Sequence, residues 1–298
     1  MQLMIESLKN FELVPFTADT DSTKNTLQQN STEDPLRIFI GAPKWSEKNW
    51  KGIIYPVKAP ADQFLSLYSR QFNTVEFGAT FYNAYDAEAI SRWTAQVAAS
   101  PDFRFCPKFP QSISHICRLL NAEEHTARFY QSLSDFGEQL GPLLLQLSDN
   151  FSPKSLPNLR NFLEELDLTV KVSVEIRHKD WFADTAARKE LFDLLRGLHV
   201  GTVISDTTGR RDCVHMELTT GDAFIRFVGN NLDPTDYQRL DNWVERIAQW
   251  GDQGLQSLWF FLHQNNERFV PQACVYFIEK LNTRLGIAVK APELISGK

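Results

Sequence analysis

What this chain has little of narrows its identity first. Its 298 residues include only four cysteines, Cys106, Cys117, Cys213 and Cys274, set far apart with no short Cys/His spacing of the kind that builds a zinc site. They read as buried free thiols. No run of eighteen apolar residues occurs, and the first residues lack the basic, then apolar, then small-residue succession of a secretory leader. Both absences point to a soluble cytoplasmic protein with no membrane partner. Basic charge is short as well: 31 Lys+Arg against 37 Asp+Glu leaves a formal net charge of -6. That balance disfavours nucleic acid as a partner, because non-specific phosphate affinity needs a basic surface. The doublet Arg210-Arg211 is the only basic run on which such binding could draw.

The first 34 residues are rich in Asn, Thr, Ser, Gln and Asp with little periodicity from Thr17 onward, and they read as a polar, partly disordered extension. From residue 35 to 290 the texture is that of one domain, with 291–298 as a tail. Short apolar or alternating runs read as strands at Arg37 to Gly41, Thr74 to Phe77, Phe103 to Phe109, Leu143 to Leu147, Val172 to His178, Val200 to Asp206, Ala223 to Val228 and Leu258 to His263. Helical spacing separates them at 60–72, 87–99, 122–140, 156–166, 186–199 and 234–253, and a last helix covers 270–285. No convincing helix lies between Thr207 and Gly221. Eight strands alternating with helices predict an α/β fold: a TIM-like (β/α)8 barrel of parallel strands, with the crossover after strand six lacking a clear helix. An open doubly wound sheet is the alternative, but its G-x-G-x-x-G fingerprint is absent.

In a barrel, strand residues alternate between the interior and the helix layer, and chemistry sits at the strand C-termini. The stretch Val172 to His178 shows the alternation best, with Val172, Val174 and Ile176 on one face and Ser173, Glu175 and Arg177 on the other. Extended over all strands, this parity predicts a rim made of Glu76, Lys108, Gln146, Glu175, Arg177, Asp206, Arg226 and His263. Glu175 with Arg177, and Glu76 with Lys108, could equally be structural ion pairs.

Five stretches together resemble the YecE-like family, a widespread group of TIM-barrel proteins named for a domain of unknown function: Ile40-Gly41-Ala42-Pro43-Lys44-Trp45-Ser46; Phe103 to Pro110 with Ile113-Ser114-His115; Leu145-Gln146-Leu147; Val174 to His178; and Ile225 to Gly229. The resemblance covers Leu36 to Leu285. It implies a cleft lined by Trp45, Glu76, Tyr82, Lys108, His115, Gln146, Glu175, Arg177, His178, Asp206 and Arg226, and no established reaction. The chain departs from the family pattern at Pro43-Lys44, where many members have Ser-Gly, and at Leu262-His263-Gln264-Asn265, where many end strand eight in an Asn-Asn-Asp type sequence.

The rim's chemistry suits an enzyme acting on a small anionic or sugar-like metabolite by isomerase- or lyase-type acid–base steps. Arg177, Arg226 and Lys108 would supply positive potential, with Arg suited to bidentate anion recognition, and Gly229-Asn230-Asn231 would add a phosphate site after strand seven. Glu175 would be the base, and Lys108 or His178 the acid or electrostatic stabiliser, with Asp206 beside them. Glu76, Gln146, Trp45, Tyr82, His115 and His263 complete the candidate substrate surface. A divalent metal on Glu76, Glu175, Asp206 and His263 is a variant of this idea disfavoured by three nearby cations. A non-catalytic metabolite-binding or interaction module is the other class. The sequence names no cofactor and carries no signature of oligomeric state.

Overall fold

Branched and aromatic residues in runs of four to eight form β1 (Arg37–Ala42), β2 (Thr74–Phe77), β3 (Arg104–Pro107), β4 (Leu143–Gln146), β5 (Val172–Glu175), β6 (Gly201–Thr207), β7 (Asp222–Gly229) and β8 (Ser257–Gln264). The structure is a computed structural model that describes residues 20–208 and 210–295. All the strands lie in one parallel sheet ordered β3-β2-β1-β8-β7-β6-β5-β4. The two ends of that order meet through isolated bridges from Phe105 to Leu140 and from Lys108 to Leu144. Gly141 N–H donates to Phe105 O at 2.7 Å and Phe109 N–H to Leu144 O at 2.9 Å, closing a TIM-like barrel whose thinnest seam is β3/β4.

The inner face is filled as a barrel core should be. Phe39 and Trp259 stack with ring centroids 3.9 Å apart, and Phe224, Phe261, Val203, Leu144 and Cys106 complete that layer. At Gly41 a Cβ would overlap the Thr74 carbonyl, so only glycine lets β1 pass so close to β2. The outer face, including Ile40, Val75, Phe105, Val174, Ile204 and Ile225, packs under the helices. Both faces are therefore buried, which is why β4 reads as an unbroken leucine run.

The helices are α1 (Asp21–Asn30), α2 (Phe64–Tyr68), α3 (Ala87–Gln96), α4 (Glu123–Leu133), α5 (Leu156–Glu164), α6 (Asp180–Ala183), α7 (Thr185–Gly197), α8 (Pro234–Asp252) and α9 (Val270–Leu285). Helix α8 starts where Asp233 accepts the Thr235 N–H and Pro234 occupies the first turn. Among the described residues, the connection from β6 to β7 carries only the 3-10 turn Arg211–Cys213. The long helix expected over 122–140 ends early: after α4 the chain tightens into 3-10 turns around Gly137, at φ 52°.

The polar N-terminal stretch departs most from expectation. Its residues 1–19 lie outside the described residues, while 21–30, expected as part of a partly disordered extension, form a helix. Thr23, Thr26 and Leu27, at i, i+3 and i+4, make its buried stripe. Thr23 Oγ1 donates to Met216 O at 3.2 Å and accepts from Leu218 N–H at 3.1 Å, so α1 docks on the helix-free segment between β6 and β7. The tail is tied down as far as 295: Glu293 N–H meets Gln71 Oε1 at 2.8 Å and Ile295 N–H meets Ile53 O at 2.7 Å. Residues 296–298 are outside the described residues. Among the described residues no helix is long and apolar enough to cross a membrane.

Candidate active site at the barrel mouth

Above the aromatic layer the interior turns polar, because inward positions at or just past the strand ends carry Glu76, Lys108, Gln146, Glu175, Arg177, Ser205, Arg226 and His263. Arg226 is the keystone. Its Nε and Nη2 each lie 2.8 Å from a Glu76 oxygen, and its Nη1 lies 3.0 and 3.2 Å from the two Glu175 oxygens. Ser205 Oγ donates to Glu175 at 2.6 Å and Arg177 Nε at 3.1 Å, while His263 Nε2 is 3.1 Å from Glu76. Burial pushes both carboxyls up. For Glu76, Arg226 and then His263 outweigh it and hold the group far below the usual carboxylate range; for Glu175, Arg226 and Arg177 bring it to about 2. Two ionised carboxylates and the guanidinium between them thus form a closed buried cluster.

Lys108 sits apart from that cluster. Its Nζ donates to Gln146 Oε1 at 2.9 Å and lies 3.9 Å from the centroid of the Phe81 ring. The Thr80 hydroxyl sets this geometry, accepting the Lys108 N–H at 3.0 Å and reaching the Lys108 carbonyl at 2.7 Å. Among the described residues no carboxylate comes within 4.0 Å of Nζ, so Lys108 has no ion-pair partner there. Burial, reinforced by the nearby Arg226, outweighs the pull of Glu175 and Glu76 and lowers the ammonium from 10.5 to about 8. His115 stands edge-on to Phe81 at 4.9 Å with Nδ1 2.9 Å from Ser114 Oγ. Burial first, then Lys108 and Arg177, hold its imidazole below the ordinary value. Tyr82 packs against Phe81 at 4.9 Å and is 70% exposed.

At the perimeter, the Arg177 side chain is 34% exposed and its Nη1 approaches Asp149 only to 3.9 Å. His178 folds back on its own loop, its Nδ1 accepting the Asp180 N–H at 3.2 Å. The Arg210-Arg211 doublet is engaged within the chain: Arg210 binds Asp212 and the Arg177 carbonyl, and Arg211 binds Asp206.

Three placements differ from the sequence reading. Asp206 does not face the mouth. It lies on the outer face of β6, fully buried, where Trp243 Nε1 donates to it at 2.9 Å and Arg239 Nε sits at 3.2 Å. Ser205 is the inward residue. Trp45 is not in the cleft either: it stacks on Phe77 at 5.1 Å and meets Trp93 and Phe105 edge-on, all on the helix side of the sheet. The loop after β7 is no open phosphate site. The Asp236 carboxylate accepts the Asn230 N–H at 2.8 Å and the Leu232 N–H at 3.1 Å, and Gln264 Oε1 accepts that of Asn231 at 2.6 Å. Among the described residues no three His, Cys, Asp or Glu side chains are placed to hold a metal ion. Asp206, one of the four ligands considered above, faces away from the mouth, and Arg226 occupies the oxygens of both glutamates.

Phe81, Ser205 and Asp149 were not among the residues the sequence pointed to at the mouth. Ser205 was findable, since it shares parity with inward Val203. Phe81 was not, because a 3-10 turn after β2, Gly78–Phe81, carries it back over the mouth.

Fold and site together define a TIM-type barrel protein with a charged, largely self-neutralised mouth and one lysine outside the neutralisation. The chain belongs to the DUF72 family, described as "Protein of unknown function DUF72", whose model matches residues 39–295. It is 32% identical over 256 residues to UPF0759 protein YecE of Escherichia coli K12, spanning 79% of this chain and 89% of that one. Among solved structures, a DUF72 family protein from Enterococcus faecalis V583 superposes with TM-score 0.64 at 17% identity, over 85% of this chain and 99% of that one. One from Thermotoga maritima MSB8 gives 0.62 at 20% identity, over 84% and 100%. At those identities the solved structures speak to the fold.

Proposed function

We propose that the barrel mouth is the active site of an enzyme that performs isomerase- or lyase-type acid–base chemistry on a small anionic or sugar-like metabolite. The observation that carries this reading is the division of labour between the cations. Arg226 satisfies both buried carboxylates, so Lys108 is left with a neutral partner and a proton it can release near neutral pH. Glu175, expected from sequence to be the base, is a poor one. Three donors hold it ionised at about 2, and a proton taken from a substrate would not stay on it. Its role here is to anchor Arg226 and Arg177. Lys108 is the proton-transfer group, His115 its neutral neighbour, and the half-exposed Arg177 the cation that meets the substrate's anionic group. Tyr82 and Phe81 offer flat apolar surface beside it.

The test is a screen of phosphorylated sugars and hydroxy acids for turnover, followed by Lys108→Met and Arg177→Met. Turnover lost by more than about a hundredfold in Lys108→Met, with a raised KM in Arg177→Met, is the expected outcome, general acid–base groups contributing about 10²–10⁴-fold. Tight binding by the wild type without turnover would replace the enzyme with a metabolite-binding module.

A further inference from the structure

We propose that Lys108 is a nucleophilic lysine, and that the substrate is an anionic aldehyde or ketone held as an imine on its Nζ; this rests on the mouth being the acid–base site read above, and moves the proton-accepting role from Lys108 to His115. A lysine acts as a nucleophile when it is kept out of ion pairs, partly desolvated and set beside other cations. Each condition holds at Lys108. Its backbone is fixed at both N–H and C=O by Thr80, so the side chain rises from a rigid base. Nζ makes one hydrogen bond, to the neutral Gln146 amide. Arg226, Arg177 and the buried Glu76 and Glu175 surround the amine from β7, from β5 and the residues just past it, and from β2, and Arg226 cancels much of the carboxylate attraction that would otherwise hold the proton on it. With the ammonium at about 8, about a tenth of the side chain is free amine at pH 7.

The surroundings also fit what the step requires. The amine lone pair attacks the carbonyl carbon, a C–N bond forms and the C–O bond breaks. The oxygen leaves as water, carrying one amine proton and one proton from solvent, and the product is a protonated imine. That product is a cation at the position of Nζ, which lies over the Phe81 ring, the face that attracts positive charge. The iminium then draws electrons from the adjacent carbon, whose proton needs an acceptor. His115, edge-on to the same ring and with Nδ1 engaged by Ser114, has Nε2 available for it. Arg177, at the exposed side, takes the carboxylate or phosphate of the substrate.

The experiment uses the full chain, with pyruvate and dihydroxyacetone phosphate as probes for the carboxylate and phosphate versions of the same chemistry. Each is incubated with the protein, reduced with sodium borohydride and mapped by peptide mass spectrometry, alongside thermal shift without borohydride. The expected result is an adduct on Lys108 at least tenfold above that on exposed Lys179, absent in Lys108→Arg, which keeps the positive charge but cannot form the imine. Melting curves of Lys108→Arg check that it is folded. Thermal stabilisation by a probe with no Lys108 adduct would overturn the imine and leave the acid–base reading standing. Adducts spread equally over surface lysines would also overturn it. No stabilisation and no adduct with either probe would overturn the imine, and a failed turnover screen is what would take the acid–base reading with it.

Discussion

The cluster around Arg226 makes the most demanding prediction. In Arg226→Met, two carboxylates whose side chains are 5% and 0% exposed lose the guanidinium that touches both. Removing one member of a buried ionic group costs about 3–5 kcal/mol, because a charge is stranded rather than a bond merely lost. Domains of this size shift by roughly 2–4 °C per kcal/mol, so the melting temperature at pH 7 should fall by on the order of 6–20 °C. The pH dependence is the sharper test. In the wild type Glu175 titrates near 2 against an ordinary 4.5, and Glu76 is depressed further. Their contribution is complete above about pH 4.5 and is lost as the pH falls through the folded values. Without Arg226, burial and mutual repulsion push both carboxyls above 4.5, so the variant recovers relative stability on acidification. Differential scanning fluorimetry from pH 7 to 4.5 should show the gap to wild type narrowing. Adding Glu76→Gln to the variant should restore part of the loss at pH 7. A gap below about 2 °C at pH 7, or one that stays constant or widens in acid, would refute this account of the cluster.

Three further outcomes follow from the geometry. Asp206→Ala, which strips a buried anion from Arg239 and Trp243 on the outer side of the barrel, should destabilise by about 3–5 kcal/mol while leaving the affinity of any mouth ligand within twofold; a selective loss of ligand affinity would return Asp206 to the site. The Lys108 amine, followed by ¹⁵N-detected NMR, should titrate near 8 instead of 10.5; because the unfolded chain then binds more protons between those values, wild-type stability should rise relative to Lys108→Met from about pH 8 to 10.5. Leu27→Ala should cost about 2–5 kcal/mol if α1 is docked as described, since Leu27 is fully buried; chemical denaturation showing no change would mean that helix contributes nothing to the barrel.

How much of this was legible in the sequence differs by element. Strand parity located Glu76, Lys108, Gln146, Glu175, Arg226 and His263 because an inward polar residue at the end of an apolar strand has little other reason to be there. It failed at β6, where Ser205 and Asp206 are both polar and the choice went to Asp206 although Ser205 shares the parity of Val203, and nothing local shows what draws Asp206 outward. The answer lies 33 and 37 residues downstream, in Arg239 and Trp243 of α8. Trp45 misled for a related cause: an aromatic after β1 looks the same whether it turns toward the mouth or toward Phe77. Helix α1 was hidden by composition. Its ten residues contain one leucine, and what holds it is backbone-directed hydrogen bonding from Thr23 to a segment nearly two hundred residues away. The occupied backbone amides after β7 could not have been read at all, because Asp236 caps them from inside the next helix.

The seam between β3 and β4 gives the mouth a built-in latch. One of its rungs is the bridge of Lys108 to Leu144, made by the Phe109 amide bound to the Leu144 carbonyl. Only isolated bridges join the barrel wall here, and they lie beside Lys108. A molecule bound to Nζ and Gln146, two residues from Leu144 on the opposite lip, would span the seam and should hold it closed. Occupancy of the mouth should therefore be recorded in the hydrogen-exchange rates of the Phe109 and Gly141 amides.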